Sequence, residues 1–173
     1  MRYSSTGIGS FVHYDMEAMQ KRLGIDMIHI PYKGGAGAAM KGLVAGDVNV
    51  GTTNTPLAQS LQKSGKIAVL ASNMEKRLEA FPGVPTYAEV GLAGHGTLNW
   101  SALFAPTGTP QEIIDTLYKA FTEAVNDPVL QEAAAKSGTF GFAAESPAAT
   151  AAWLQEELAK WRRTTAEIKI EMN

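Results

Sequence analysis

Short apolar runs alternate with amphipathic stretches along the first 71 residues, and no other feature of the sequence constrains the fold as strongly. Such alternation is typical of βαβ units around a parallel sheet, so it predicts an α/β fold. Four strands with three connecting helices are predicted, the strands at residues 2–5, 26–31, 47–52 and 67–71. Because right-handed crossovers place every strand-to-helix turn at one edge of a sheet, we expect the three turns to line one mouth and any ligand to bind there.

Capping residues set the limits of these helices. Ser10 is predicted as the N-cap of the first helix, and Gly24 ends it. The second helix is expected at residues 38–45. Thr55 is predicted as the N-cap of the third helix, with Pro56 at the first helical position, where its missing N–H costs nothing.

The pattern changes after residue 71. An irregular stretch at 72–84 precedes Thr86-Tyr87-Ala88-Glu89, whose capping-box spacing predicts a short helix that ends at Gly91. Beyond it only two strands are predicted, and an isolated pair of strands is marginal in water. These strands lie at 98–105 and 139–143, among helices predicted at 110–126, 128–136 and from 146 towards the end. We therefore predict two domains, residues 1–95 and residues 96–173, of which the second has an incomplete sheet.

Composition excludes several classes of protein. The 173 residues contain 15 Lys and Arg against 17 Asp and Glu, a formal net charge of −2, so no bulk positive field favours nucleic acid. The absence of cysteine excludes disulfide scaffolds, thiolate zinc sites and thiol catalysis. No apolar run is long enough for a membrane helix. The first residues show no hydrophobic core of a secretory signal, so none is expected in the sequence as it stands.

The first strand-to-helix turn is the strongest candidate for binding. Unpaired amides at a helix N-terminus and the helix dipole both favour an anion. Its candidate residues are Ser5, Thr6, Gly7, Gly9 and Ser10, with His13 leaning over the turn from the first helical turn. A dinucleotide fingerprint would require a third glycine where Val12 stands, which disfavours a Rossmann cofactor. The alternative interpretation is a glycine-rich turn that only connects two elements.

The second and third turns carry polar groups of a different kind. The second contains Tyr32, Lys33, Gly34 and Gly35, an aromatic side chain and one cation that could contact a carboxylate. It lacks the Gly-Lys-Ser/Thr end of a phosphate P-loop. The third contains Thr53 and Asn54, uncharged donors whose simplest interpretation is a helix cap.

The histidines show no spacing typical of metal ligands, so neither a metal nor a cofactor is predicted. His29 is interpreted as a hydrogen-bonded core histidine, and His95 has no partner that the sequence identifies. No Gly-x-Ser-x-Gly elbow or Ser-x-x-Lys pair is present, so no catalytic residue is predicted.

Several segments together resemble the receptors of the tripartite tricarboxylate transporter family, also called Bug receptors. These segments keep their order and spacing over nearly the whole chain, which makes the resemblance specific. They are residues 3–10 with His13, 29–35, 45–48 with Asn54, 76–77, 81–91 and 100–110.

The resemblance implies a periplasmic-binding-protein-like (type II-like) fold, with a parallel or mixed sheet lobe and a second lobe that is incomplete here. In that family, two α/β lobes close on a small organic carboxylate and deliver it to membrane permease subunits. By position, Ser5, Thr6, Gly7, Gly9, Ser10 and His13 match the turn that holds a carboxylate, and Tyr32, Lys33, Gly34 and Gly35 match the Pro-Tyr-Lys-Gly-Gly signature beside the cleft. Asn54 matches an Asp-Asn pair, but Thr53 stands at the Asp position, which leaves the preferred ligand charge open.

The resemblance also implies that this chain is the C-terminal part of a longer periplasmic receptor. We therefore expect weak, at best millimolar, carboxylate binding by the isolated chain, because part of the cleft would be absent. Exposed apolar faces of the incomplete lobe would favour self-association. Two other interpretations stay open: an α/β enzyme that binds a nucleotide phosphate at the Ser5–Ser10 turn, and an assembly subunit whose turns bind nothing.

Overall fold

The computed structural model describes residues 1–97, 99–137, 139–141 and 143–170. The chain divides into two compact units, Met1–Leu98 with Thr164–Asn173, and Asn99–Arg163. In chain order the elements are β1 (Arg2–Ser5), α1 (Phe11–Leu23), β2 (Ile28–Pro31), α2 (Gly35–Ala45), α3 (Thr55–Lys63), α4 (Gln111–Val125), α5 (Pro128–Ser137) and α6 (Pro147–Glu167). No helix within the described ranges combines the length and the apolar character needed to cross a bilayer.

The predicted α/β class is confirmed in the first unit, where β1 and β2 pair in parallel. Tyr3 lies opposite His29 in this register, and on the other side of β1 it forms a single parallel bridge with Val50. The expected third strand at 47–52 is therefore reduced to one bridge. Asn49 explains the interruption. The Arg2 amide donates to Asn49 Oδ1 at 2.8 Å, whereas in a regular parallel ladder it would donate to a backbone carbonyl.

The predicted strand at 67–71 is wrong, since the described pairing nearby is one parallel bridge between Ser72 and Thr86. The predicted helix from residue 86 is also wrong, although the capping box itself forms. The Thr86 amide donates to Glu89 Oε2 at 2.7 Å, and the Glu89 amide donates to Thr86 Oγ1 at 3.3 Å. The Tyr87 carbonyl then accepts from Leu92 at 2.7 Å, five residues along, so the chain forms turns instead of a regular helix.

In the second unit, the predicted helices α4 and α5 are confirmed to within one residue at each end. The strands predicted at 98–105 and 139–143 are wrong for the described residues, while Leu98 and Phe142 lie outside those residues. A strand requires a neighbouring strand to satisfy its backbone hydrogen-bonding groups, and the described part of this unit contains no such strand.

The core of the first unit lies on both faces of β1. On one face Tyr3 packs with Val12 and Met16 of α1. Side chains alternate along a strand, so Ser4 points to the other face, where its hydroxyl and Met40 of α2 both lie against Gly51. A separate buried cluster joins α3 to the irregular stretch through Ala58, Phe81 and Val84.

Candidate functional site

β1 pairs in parallel with β2 on one side and with Val50 on the other. The three predicted turns therefore follow these segments at the same edge of the small sheet. We call residues 5–10 turn 1, residues 31–35 turn 2 and residues 52–54 turn 3. Ser5 pairs with Pro31, and Tyr3 with Val50, in parallel registers. If each pairing is continued residue by residue up to Thr6, Thr6 lies opposite Tyr32 on one side and opposite Thr53 on the other, just past the strand ends. Turn 1 is therefore central, with turns 2 and 3 on either side.

Turn 1 is held by hydrogen bonds to its own side chains and to His13 of α1. The Gly7 amide donates to Ser5 Oγ at 3.1 Å, and the Gly9 amide donates to His13 Nδ1 at 3.2 Å. Ser10 is the N-cap of α1, as predicted, and its Oγ accepts the His13 amide at 3.3 Å. Gly7 and Gly9 have φ of 138° and 75°, which favour glycine. Three of the predicted polar side chains therefore stabilise the turn itself.

Four amides of this turn and the first turn of α1 keep their N–H groups unused. Within the described part of the chain, these are the amides of Thr6, Ile8, Phe11 and Val12, which have no hydrogen-bond acceptor. The first amides of a helix have no intrahelical partner, and they carry the positive end of the helix dipole. No acidic side chain occupies the first turn of α1. The N-terminus of α1 is therefore free to bind an anion from outside.

Below turn 1, three aromatic rings form a stack. The ring centroids of His13 and His29 are 3.7 Å apart, and those of His29 and Tyr3 are 4.9 Å apart. His29 Nε2 lies 2.6 Å from Ser5 Oγ, directly beneath the turn. The Tyr3 hydroxyl donates to Glu17 Oε1 at 2.6 Å, and His13 Nε2 lies 3.9 Å from the same oxygen. The stack thus joins turn 1 to α1.

Burial keeps the two imidazoles of this stack neutral. Burial and, to a smaller extent, the nearby His13 together lower the pKa of His29 to about 4, against the opposing effect of Glu17. Burial also lowers the pKa of His13, again against the attraction of Glu17. For Tyr3, burial raises the pKa, and its hydrogen bond to Glu17 acts in the same direction. Neutral His13 can accept the Gly9 hydrogen at Nδ1, as the geometry requires.

Turn 2 places Tyr32 against α2. An ideal Cβ built on Gly42 would lie 2.0 Å from Tyr32 Oη and 2.3 Å from Cζ, so the ring occupies the space that a larger residue would need. Gly34 is the N-cap of α2, with φ of 146°, and supplies no side-chain cap. Lys33 is exposed beside it. The N-terminus of α2, like that of α1, has no acidic side chain in its first turn.

In turn 3 one sequence prediction is wrong: the N-cap of α3 is Asn54 and not Thr55. The Asn54 side chain accepts the Leu57 amide at 3.0 Å. The hydroxyl oxygens of Thr52 and Thr53 are inaccessible to solvent and have no hydrogen-bond partner among the described residues. Buried polar atoms without a partner are uncommon in proteins.

Two other features bear on the site. A shallow depression along α1 does not include the three turns; it is lined by Glu17, Gln20, Lys21, Gly24, Ile25 and Asp26. The described residues contain no group of three or more His, Cys, Asp or Glu side chains that could hold a metal ion.

Sequence reasoning missed the support beneath turn 1. Tyr3 and Ser5 are two residues apart on β1, and His13 and Glu17 are four apart on α1, so each pair shares a face. That spacing was visible in the sequence and could have suggested a joint role. His29 is half-buried and hydrogen-bonded, as predicted for a core histidine, but its partner is a residue of the candidate site.

Comparison with known proteins gives a family match. Residues 1–170 match the sequence model of the family described as Tripartite tricarboxylate transporter family receptor. BugT of Bordetella pertussis is 33% identical to this chain over 171 residues, which cover 96% of this chain and 52% of BugT.

Two solved structures of Rhodopseudomonas palustris proteins are similar over most of this chain. One, solved with adipate, has a TM-score of 0.87 and 27% identity, and the match covers 98% of this chain and 56% of that one. The other, MatC with bound malate, has a TM-score of 0.73 and 25% identity, with 95% and 56% covered. The chain therefore spans about half the length of these relatives.

Proposed function

The chain belongs to the tripartite tricarboxylate transporter receptor family, as its sequence motifs predicted, and from this premise we propose that it binds a small organic carboxylate at turn 1. The observation that carries the proposal is the set of free amides at Thr6, Ile8, Phe11 and Val12, with no acidic side chain in the first turn of α1 to occupy them. Backbone N–H groups at a helix N-terminus donate to a carboxylate without the desolvation cost of a buried lysine.

The surrounding residues complete the proposed site. Turn 1 contributes Ser5, Thr6, Gly7, Gly9 and Ser10, and α1 contributes His13; turn 2 contributes Tyr32, Lys33, Gly34 and Gly35; turn 3 contributes Thr53 and Asn54. Lys33 is the exposed cation of turn 2 and would attract an anion to the mouth at long range. The acids seen in the two solved neighbours, adipate and malate, carry carboxylates of the kind that this site would bind.

We further propose that the two compact units correspond to parts of the two lobes of a receptor, and that the protein acts in the periplasm. Family membership supports both proposals, and a solved neighbour described as a periplasmic transporter supports the second. The receptor would deliver its ligand to membrane permease subunits. The nucleotide-binding enzyme, considered from sequence, receives no support from the family match.

Self-association is a further part of this proposal. In the second unit, Leu103 and Phe104 are 75% and 69% exposed. Ile113, Leu117 and Phe121 repeat at four-residue intervals along α4 and are also exposed. Apolar side chains that share one helix face and contact solvent favour association with a second apolar surface.

A titration with adipate and malate, followed by NMR of backbone amides, tests the carboxylate proposal. We expect the Ile8, Phe11 and Val12 amides to shift most, at millimolar ligand. The variant Ile8→Asp places a carboxylate beside these amides, and it should weaken binding about tenfold or more without loss of stability, because Ile8 is exposed. Ile25→Asp makes the same change at the opposite end of α1 and should leave binding unchanged. Equal weakening by both variants, or shifts confined to residues outside the three turns, would contradict the proposal.

A further inference from the structure

The Ser5 hydroxyl has no hydrogen to give to a bound carboxylate. A hydroxyl has one hydrogen and two lone pairs. One lone pair accepts the Gly7 amide at 3.1 Å. The hydrogen has two acceptors within reach, the Gly7 carbonyl at 3.0 Å and His29 Nε2 at 2.6 Å.

Both arrangements of that hydrogen lead to the same result. If Ser5 donates to the Gly7 carbonyl, His29 donates from Nε2 and the hydroxyl is fully used. If Ser5 donates to His29, the hydroxyl keeps only a lone pair, which a carboxylate oxygen cannot use because it too is an acceptor. Either way the shortest contact of Ser5 is with His29.

We propose that His29 is a positioning residue for carboxylate recognition: it holds the Ser5 hydroxyl, which fixes the Gly7 amide and so orients the free amides that follow it in turn 1. This inference rests on the function proposed above. It assigns Ser5 to the support of the turn, and it leaves the contacts with the ligand to the backbone. The rings of Tyr3 and His13 both pack against the ring of His29, with centroids 4.9 and 3.7 Å away, and restrict its position.

The packing around His29 disfavours a positively charged imidazole. A protonated His29 would place a cation against the ring of His13. The titratable groups that face His29 are Tyr3 of β1 and His13 and Glu17 of α1. Burial among them disfavours the charged form, so the neutral ring persists through the neutral pH range.

Two variants of His29 separate hydrogen bonding from ring packing. His29→Phe keeps an aromatic ring in the stack but removes the nitrogen that meets Ser5, whereas His29→Gln restores a polar atom within reach. The matched control is His95→Phe, which changes a histidine of the same unit that packs against Tyr87. The measurements are hydrogen exchange at the Gly7 amide and the dissociation constant for adipate, at pH 7.

We expect His29→Phe to raise both the Gly7 exchange rate and the adipate dissociation constant about tenfold, the effect of one lost hydrogen bond. His29→Gln should bring both to within about threefold of the parent, and His95→Phe should change neither. Identical values for the Phe and Gln variants would overturn the proposal, as would unchanged Gly7 exchange in Ser5→Ala. So would loss of binding in Ser5→Ala far beyond that in His29→Phe, because Ser5 would then contact the ligand directly.

The exchange measurement also separates this inference from the function on which it rests. If the parent chain binds neither adipate nor malate even well above millimolar concentration, the carboxylate function proposed for this chain is wrong. Accelerated Gly7 exchange in His29→Phe, with rescue in His29→Gln, would still support the positioning of the turn by His29. Unchanged exchange would refute it whatever the binding result.

Discussion

Replacing Gly42 by alanine tests the position of Tyr32 in turn 2. Alanine is favoured over glycine inside a helix by about 1 kcal/mol, so the change would ordinarily stabilise α2. Here the new Cβ would lie 2.0 Å from Tyr32 Oη, which is too close for two atoms that are not bonded to each other. Displacing the ring or straining the helix costs about 1–3 kcal/mol. We therefore expect Gly42→Ala to change the free energy of unfolding by between zero and a loss of about 2 kcal/mol.

The sign of the effect should reverse when the ring is removed. In a Tyr32→Ala background, Gly42→Ala should stabilise the protein by about 1 kcal/mol, so the two changes should show a coupling energy of about 1–3 kcal/mol. Urea denaturation of the four proteins measures this cycle. Gly37→Ala provides the control, because Gly37 is also in α2 and has no atom within 4 Å of its would-be Cβ. It should stabilise both backgrounds equally. Additivity of Gly42→Ala and Tyr32→Ala to within about 0.5 kcal/mol would refute this placement of Tyr32.

Three other predictions follow from the site. Because burial lowers the pKa of His29 to about 4 and also lowers that of His13, the unfolded state binds more protons in acid. The contribution of these two histidines to the unfolding free energy should be fully present above about pH 6.5 and should be lost progressively from there towards pH 4. Urea curves across this range that fall as much in a His13→Gln, His29→Gln double variant as in the parent would contradict it. Thr53→Asp adds a carboxylate level with Thr6, and calorimetry should show that it weakens adipate binding about tenfold by repulsion. The control Thr53→Val should weaken binding much less, and stronger binding by Thr53→Asp would contradict the prediction. Leu117→Glu places a charge on the exposed face of α4 and should lower the apparent mass in light scattering at high concentration, and an unchanged mass would contradict association through this face.

The helices could be predicted from sequence because their signals are local. Ser10 caps α1 through its own side chain, and Gly24 ends it in the left-handed conformation, both within a few residues of the pattern that predicted them. Strands depend on partners far along the chain. Asn49 interrupts the third strand only because Arg2 lies beside it, and nothing in the sequence near residue 49 identifies that neighbour. Residues 99–105 have a strand's composition, but the described part of their unit contains no strand to pair with.

The candidate site shows the same division between local and distant information. The identity of the turn residues, and the donors they carry, could be predicted from sequence. Whether the Ser5 hydroxyl remains free could not be predicted, because that depends on the register between β1 and β2. A shift of one residue would place Ile28 or Ile30 beside Tyr3 in place of His29, and Ser5 would lose its 2.6 Å partner. Its hydroxyl would then be available to a ligand. The parallel register therefore determines whether Ser5 binds the carboxylate or supports the amides that do.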